Sequence, residues 1–227
     1  MLRHINERCK QVNYKFQIAS VTALLLHNNN IVERDRLEGI RKKMKGGKAG
    51  DDRSPPESWK TYLYTSDETG NVCMPAENIM AALLLAGMKC KVGGKETLKT
   101  HSQRIMLDRL DYDLLFDGKP IAKSAIDDIG GEFGEHASAA REMGFRLLVK
   151  PATVGTSKHV RVRPMFGQWA LSGMFEIEDD DASILNKSAL TDLFTTAGRL
   201  VGLGDWRPSS PKRPGQYGRF TATVEKV

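Results

Sequence analysis

Apolar and polar positions alternate from Tyr14, where Tyr14, Phe16 and Ile18 are set against Lys15 and Gln17. The run then turns almost wholly apolar as far as Leu26, which predicts one long strand entering a core. Asn28-Asn29-Asn30 ends it, and Ile31–Lys45 reads as a charged surface helix. Trp59–Tyr64 and a short strand at Val72–Met74 flank Ser66-Asp-Glu-Thr-Gly-Asn71, a hairpin signal. Pro75, with Glu77 in the first turn, opens a helix whose Ile79, Met80, Leu83, Leu84 and Met88 share one face. Ala81, Ala82 and Leu85 make its other side apolar too, so it is expected to be buried all round. A polar stretch from Lys89 to Arg104 precedes a predicted strand from Ile105 to Phe116, and Asp117–Glu135 has little periodicity. Phe145–Lys150 reads as a further strand.

The last third is more regular. Trp169, Leu171, Phe175 and Ile177 against Ala170, Ser172, Glu176 and Glu178 predict a half-buried strand, turned by Asp179–Asp181. Leu190, Leu193, Phe194, Ala197, Leu200 and Val201 follow helical spacing up to Gly202. A Gly/Pro-rich loop, 202–219, leads to a last strand with Phe220, Ala222 and Val224 on one face. The order of elements predicts a single α+β domain over 1–227. Its expected core is a βαββαβ, ferredoxin-like domain with large insertions. Residues 41–58, rich in Gly, Pro and charge, are expected to be a mobile basic loop, and deletion of Lys45–Pro55 is expected to leave the fold intact.

Composition narrows the partners. In 227 residues Lys+Arg number 34 and Asp+Glu 28, a formal charge of +6, which favours an anionic partner. Three scattered cysteines, Cys9, Cys73 and Cys90, offer no metal-ribbon spacing and fit a reducing cytoplasm. No apolar run is long enough for a bilayer, so no membrane partner is expected. Gly93-Gly-Lys-Glu-Thr97 lacks the first glycine and adjoining Ser/Thr of a phosphate loop, and the five histidines show no metal-ligand spacing. No cofactor and no resident metal are therefore expected.

Three segments carry candidate nucleic-acid chemistry. In the glycine-rich loop, Gly202 and Gly204 allow close backbone approach; Arg207, Lys212, Arg213 and Arg219 bring cations, and Trp206 a stacking surface. In the hairpin, alternation places His159, Arg161 and Arg163 on one face, with Lys150 and Lys158 nearby, a stripe suited to a phosphate backbone. Arg41, Lys42, Lys43, Lys45 and Lys48 make a basic arm. Each also has a plain reading, as a helix cap and solvated loop, an outer strand face, or a solvated charge run. The adjacent acids Asp51-Asp52 and Asp127-Asp128 read first as turn and capping residues.

Asn71-Val-Cys-Met-Pro75-Ala-Glu-Asn-Ile-Met-Ala-Ala-Leu83 resembles the entry to the first helix of RAMP proteins, the repeat-associated proteins of multi-subunit CRISPR effectors. Ala197-Gly-Arg-Leu-Val-Gly-Leu-Gly-Asp-Trp-Arg207, continuing to Gly218-Arg219-Phe220, resembles their glycine-rich loop between second helix and last strand. Glu77 and Asn78 depart from the small polar residues of that pattern, and Ala82 stands near its glycine. Within the superfamily the chain most resembles the backbone subunit. That implies a hand-shaped, non-catalytic protein, with an RRM-like palm and a projecting β-hairpin thumb at 145–167, that binds single-stranded RNA, with DNA as the other option, and assembles head-to-tail with copies of itself into a filament. It also implies contact with other CRISPR effector subunits, although backbone-like proteins occur outside complete CRISPR loci, including on mobile elements. Three alternatives stay open: a metal-dependent ribonuclease using Asp51 or Asp52, a metal-free processing nuclease using His27 or His159 as base, and a structural mimic that blocks complex assembly.

Overall fold

A computed structural model describes residues 11–28, 30–44, 50–93, 96–154, 156–178, 181–211 and 213–227, without the side chains of 33, 93, 152–154, 157 and 158. In chain order the elements are β1 (Gln11–Ser20), β2 (Leu24–Leu25), α1 (Ile31–Lys43), a 3₁₀ helix (Pro56–Tyr62), β3 (Cys73–Pro75), α2 (Ala76–Gly87), β4 (Lys91–Gly93) and β5 (Glu96–Thr97). There follow α3 (Lys99–Ser102), β6 (Met106–Leu107), β7 (Asp111–Asp113), β8 (Leu115–Phe116), β9 (Lys119–Pro120), α4 (Lys123–Asp127) and α5 (Phe133–Glu142). The last are β10 (Phe145–Val154), β11 (Ser157–Phe166), β12 (Ala170–Glu178), α6 (Lys187–Thr196), continued by a π turn Ala197–Val201, and β13 (Phe220–Lys226). The architecture is mixed α/β with antiparallel sheets, in line with the α+β class.

The main sheet runs β13-β1-β12-β8-β9, with β6 also on β12. Alternation in β1 buries Val12, Tyr14, Phe16 and Ile18, while Leu171, Phe175 and Ile177 of β12 and Phe220 and Val224 of β13 face the same core. Tyr14 stacks on Phe175 at 5.3 Å, and Phe16 packs against Phe194 of α6 at 5.7 Å. Helix α6, with Leu190, Leu193 and Phe194 inward, and Ile79 and Leu83 of α2 close this core. Asn186 caps α6, its side-chain oxygen accepting the Ala189 N–H at 3.1 Å.

The second sheet is β10-β11-β2. Strands β10 and β11 form a hairpin paired without interruption from Phe145↔Phe166 to Val154↔Ser157. Phe145, Val162 and Phe166 seat its base in the core, with Phe145 stacked on Phe166 at 5.0 Å.

Several elements differ from the sequence reading. The single strand expected over Tyr14–Leu26 is two: the N–H groups of Val21 and Thr22 turn to the Arg219 carbonyl, and the chain changes sheets. The strand expected over Ile105–Phe116 is divided among β6, β7 and β8, around an outward turn where Leu110 is 89% exposed. Trp59–Tyr62 is helical rather than extended, because Pro56 starts a turn closed by the Ser58 hydroxyl on the Pro55 carbonyl. The turn after it is closed as expected, Ser66 N–H donating to the Asn71 carbonyl at 2.9 Å. Helix α2 is not buried all round: Ala81 and Leu85 are exposed.

Within 41–58, Lys45 and Lys48 lie outside the described residues, Lys42–Met44 are exposed at the end of α1, and residues 50–58 pack against the hairpin and the 3₁₀ helix. Gly50–Asp52 lies along the outer edge of β11, with Asp52 N–H on the Val160 carbonyl and Val160 N–H on the Gly50 carbonyl. Asp52 is buried, accepting from the Tyr62 hydroxyl at 2.8 Å and from Arg161 at 2.9 Å. Residues 50–58 therefore anchor the hairpin to the 3₁₀ helix.

Candidate nucleic-acid interface

The hairpin stripe and the glycine-rich loop come together, but not as two open basic surfaces. Arg163 is buried, its Nε 2.6 Å from the Asp205 carboxylate and its guanidinium 4.6 Å from the Trp206 ring centre. Arg161 is paired with Asp52, and His159 packs over Gly50. The expected row of free cations is thus spent largely on fastening the hairpin to its neighbours. Lys150 remains exposed, its Nζ 5.4 Å from the same Trp206 ring. The side chain of Lys158 and residue Lys212 lie outside the described residues. Arg213 is exposed, and Arg219 is half-buried beside Thr22, whose hydroxyl accepts its N–H. On the basic arm, Arg41 is held by Glu38 and the Ser54 carbonyl, whereas Lys42 and Lys43 are exposed at the C-terminus of α1, where positive charge suits the helix dipole.

The glycines serve the chain's own close packing. Gly204 has φ +73°, and a Cβ there would sit 2.3 Å from the Leu25 carbonyl oxygen; Gly218 has φ +69°, and a Cβ would meet the Leu203 carbonyl at 1.8 Å. Non-glycine Trp206 adopts φ +50°, steadied by its N–H on the Asp205 side chain at 2.9 Å and by Arg163 over its ring.

This folded loop forms one wall of a pocket of about 160 Å³, whose opposite wall is the exposed face of α2. Asn78, Ala81 and Leu85 come from α2, Gly202–Asp205 and Arg207 from the loop, and His27 and Tyr64 from the floor between. Arg207 is the distinctive group. Its Nε donates to the Ser209 hydroxyl at 3.0 Å and Nη1 to the Gly204 carbonyl at 2.9 Å, so it is aimed by neutral acceptors, and among the described ion pairs it has no carboxylate. A guanidinium has five N–H donors, and these two bonds leave three for a ligand. Asp205 adds no net negative charge, because Arg163 balances it.

His27 stands 3.7 Å by Nδ1 from the Asp205 carboxylate and edge-on to Tyr62 at 4.8 Å. Burial, reinforced by Arg163, lowers its pKa, so the ring is neutral at pH 7. Tyr62 is driven up to about 12 by burial and by the Asp52 charge, and remains a phenol donating to that carboxylate. Asp51 is clamped by Arg53 at 2.7 Å, which lowers its pKa, and Asp52 is buried. Among the described residues no group of three or more His, Cys, Asp or Glu is placed to hold a metal ion.

The sequence reading missed Asp205, Tyr64 and Asn78 as site residues and weighed His27 only as a nuclease base. Asp205 lies inside the glycine motif, two residues before Arg207, and is the one acid of that motif. Among the described residues, no helix is long and apolar enough to cross a membrane. Comparison of the chain with protein-family models and with curated proteins returns no match.

Proposed function

We propose that the protein is a non-catalytic single-stranded nucleic-acid-binding protein, with RNA as its ligand, that assembles head-to-tail along the strand on a ferredoxin-like core. The observation that carries this reading is Arg207, a cation pre-aimed by neutral partners into a pocket between α2 and the glycine-rich loop. The net charge of +6 supports an anionic polymer as ligand. The strand order β13-β1-β12-β8, all antiparallel, with α2 and α6 on the inner side, supports the ferredoxin-like core. The likeness of Asn71–Leu83 and Ala197–Phe220 to RAMP backbone subunits adds RNA and self-assembly to the reading.

Strand binding in this reading does not use the open face of the main sheet. Its outward positions in β1, β12 and β13 include Lys15, Gln17, Ser172, Met174, Thr221 and Thr223, and the aromatic residues of those strands are buried on the other side. A stacking platform is therefore lacking there. The strand instead crosses the α2–loop pocket and passes the exposed Lys150 and Arg213.

Fluorescence anisotropy with a labelled RNA oligomer tests this. Arg207→Glu is expected to weaken binding at least about tenfold for every sequence. It is also expected to make the salt dependence shallower, by about 0.7 of a counterion for each phosphate no longer neutralised. Wild-type affinity and slope in this variant would refute the reading.

A further inference from the structure

The polar groups of the α2–loop pocket divide by hydrogen-bonding role. Arg207 is the donor, suited to phosphate oxygens, whereas the Tyr64 hydroxyl donates its proton to the His27 carbonyl at 3.5 Å. His27 and Asp205 are the opposite. Asp205, 3.7 Å from Nδ1, favours the tautomer that carries its proton there; a neutral imidazole of that form offers Nε2 only as an acceptor, and an ionised carboxylate accepts only. A ligand that satisfies both sets carries an anionic oxygen and a hydroxyl donor. A ribonucleotide does so through its phosphate and 2′-hydroxyl, and a deoxynucleotide lacks the donor.

We infer that this pocket selects ribose over deoxyribose, with His27 accepting a hydrogen bond from a 2′-hydroxyl while Arg207 binds the neighbouring phosphate. The inference rests on the proposed nucleic-acid binding and names the feature of the strand that the same site reads. Arg163 and Tyr62 have supporting parts. Arg163 holds Asp205 so that it faces His27, and the Tyr62 ring packs edge-on against the imidazole. With DNA, the His27 acceptor is buried against a strand that has nothing to donate, and an unpaired buried polar group is costly.

The test is competition binding with uridine oligomers of one length in three forms: RNA, 2′-deoxy and 2′-fluoro. The fluoro sugar keeps the RNA-like pucker but cannot donate, so it separates the hydroxyl from strand shape. Wild-type protein is expected to prefer RNA about tenfold or more over both other forms. His27→Ala is expected to bring the RNA/DNA ratio close to one, and His27→Gln, whose amide oxygen can accept, to restore most of it. Equal wild-type affinity for RNA and DNA, RNA-like binding of the fluoro strand, or an unchanged ratio in His27→Ala would each overturn the inference while leaving strand binding standing. Failure of all three oligomers to bind would refute the proposed function itself, and this inference with it.

Discussion

At the scale of single residues, side chains that look like surface charge in the sequence are structural. Asp52 accepts the Tyr62 hydroxyl and an Arg161 N–H while only 3% exposed. Removing it leaves a cation and a phenol without their partner, so Asp52→Ala is expected to cost about 3 kcal/mol, read as a melting shift of roughly 10 °C. A shift under about 2 °C would show that the network contributes little. His136 makes a second test. It is 2% exposed and accepts the Trp59 indole N–H at 3.2 Å, and burial lowers its pKa below the ordinary 6.5. A histidine with a folded value below its unfolded value contributes stability that is fully present above the unfolded value. That stability is lost as pH falls from 6.5 through the lower folded value. Urea unfolding at pH 7.5 and 5.5 should show the loss in the wild type and a smaller one in His136→Gln. Equal losses in the two proteins would mean another group carries the acid sensitivity.

At the scale of elements, the hairpin β10–β11 is held from several sides. β2 and Gly50–Asp52 lie along β11, and the Arg163–Asp205–Trp206 contact ties it to the glycine-rich loop. Deleting Lys45–Pro55 therefore removes a packed anchor, and lowered melting and soluble yield are expected. The fold should survive removal of 45–49 alone; equal melting of the two deletions would show that residues 50–55 are dispensable. Gly204→Ala adds a Cβ 2.3 Å from the Leu25 carbonyl at φ +73°, so it should detach loop from β2 and weaken RNA binding without a change in surface charge. Retained stability and affinity in that variant would show that the loop tolerates rearrangement.

At the scale of the whole molecule, a basic chain that binds a strand as proposed gains coverage by repetition. Head-to-tail contacts that do not close give open assemblies. On the proposed reading, mass measured by light scattering should rise in even steps with RNA length, and binding should be cooperative. A one-to-one complex at every length would remove the filament while leaving the pocket.

The sequence by itself determined the parts governed by local rules. Alternation in β1, β12 and β13 and the helical spacing of Leu190–Ala197 read correctly, because period and burial are linked within each element; Leu200, expected on the same face, is exposed where α6 passes into the π turn. The hairpin signal at Phe145 and the Gly202 stop were legible for the same reason. What only the tertiary structure decided was which charges are free. Arg161 and Arg163 look like a phosphate stripe in sequence, yet their partners, Asp52 and Asp205, lie far along the chain and meet them only after the hairpin docks. Arg207 looks like any other cation in the loop, and its distinction is that the Ser209 hydroxyl and the Gly204 carbonyl hold its guanidinium at the pocket, a property of the folded surroundings. The exposed side of α2 was hidden likewise, because its apolar residues say that burial is favourable but not whether another element arrives to cover them.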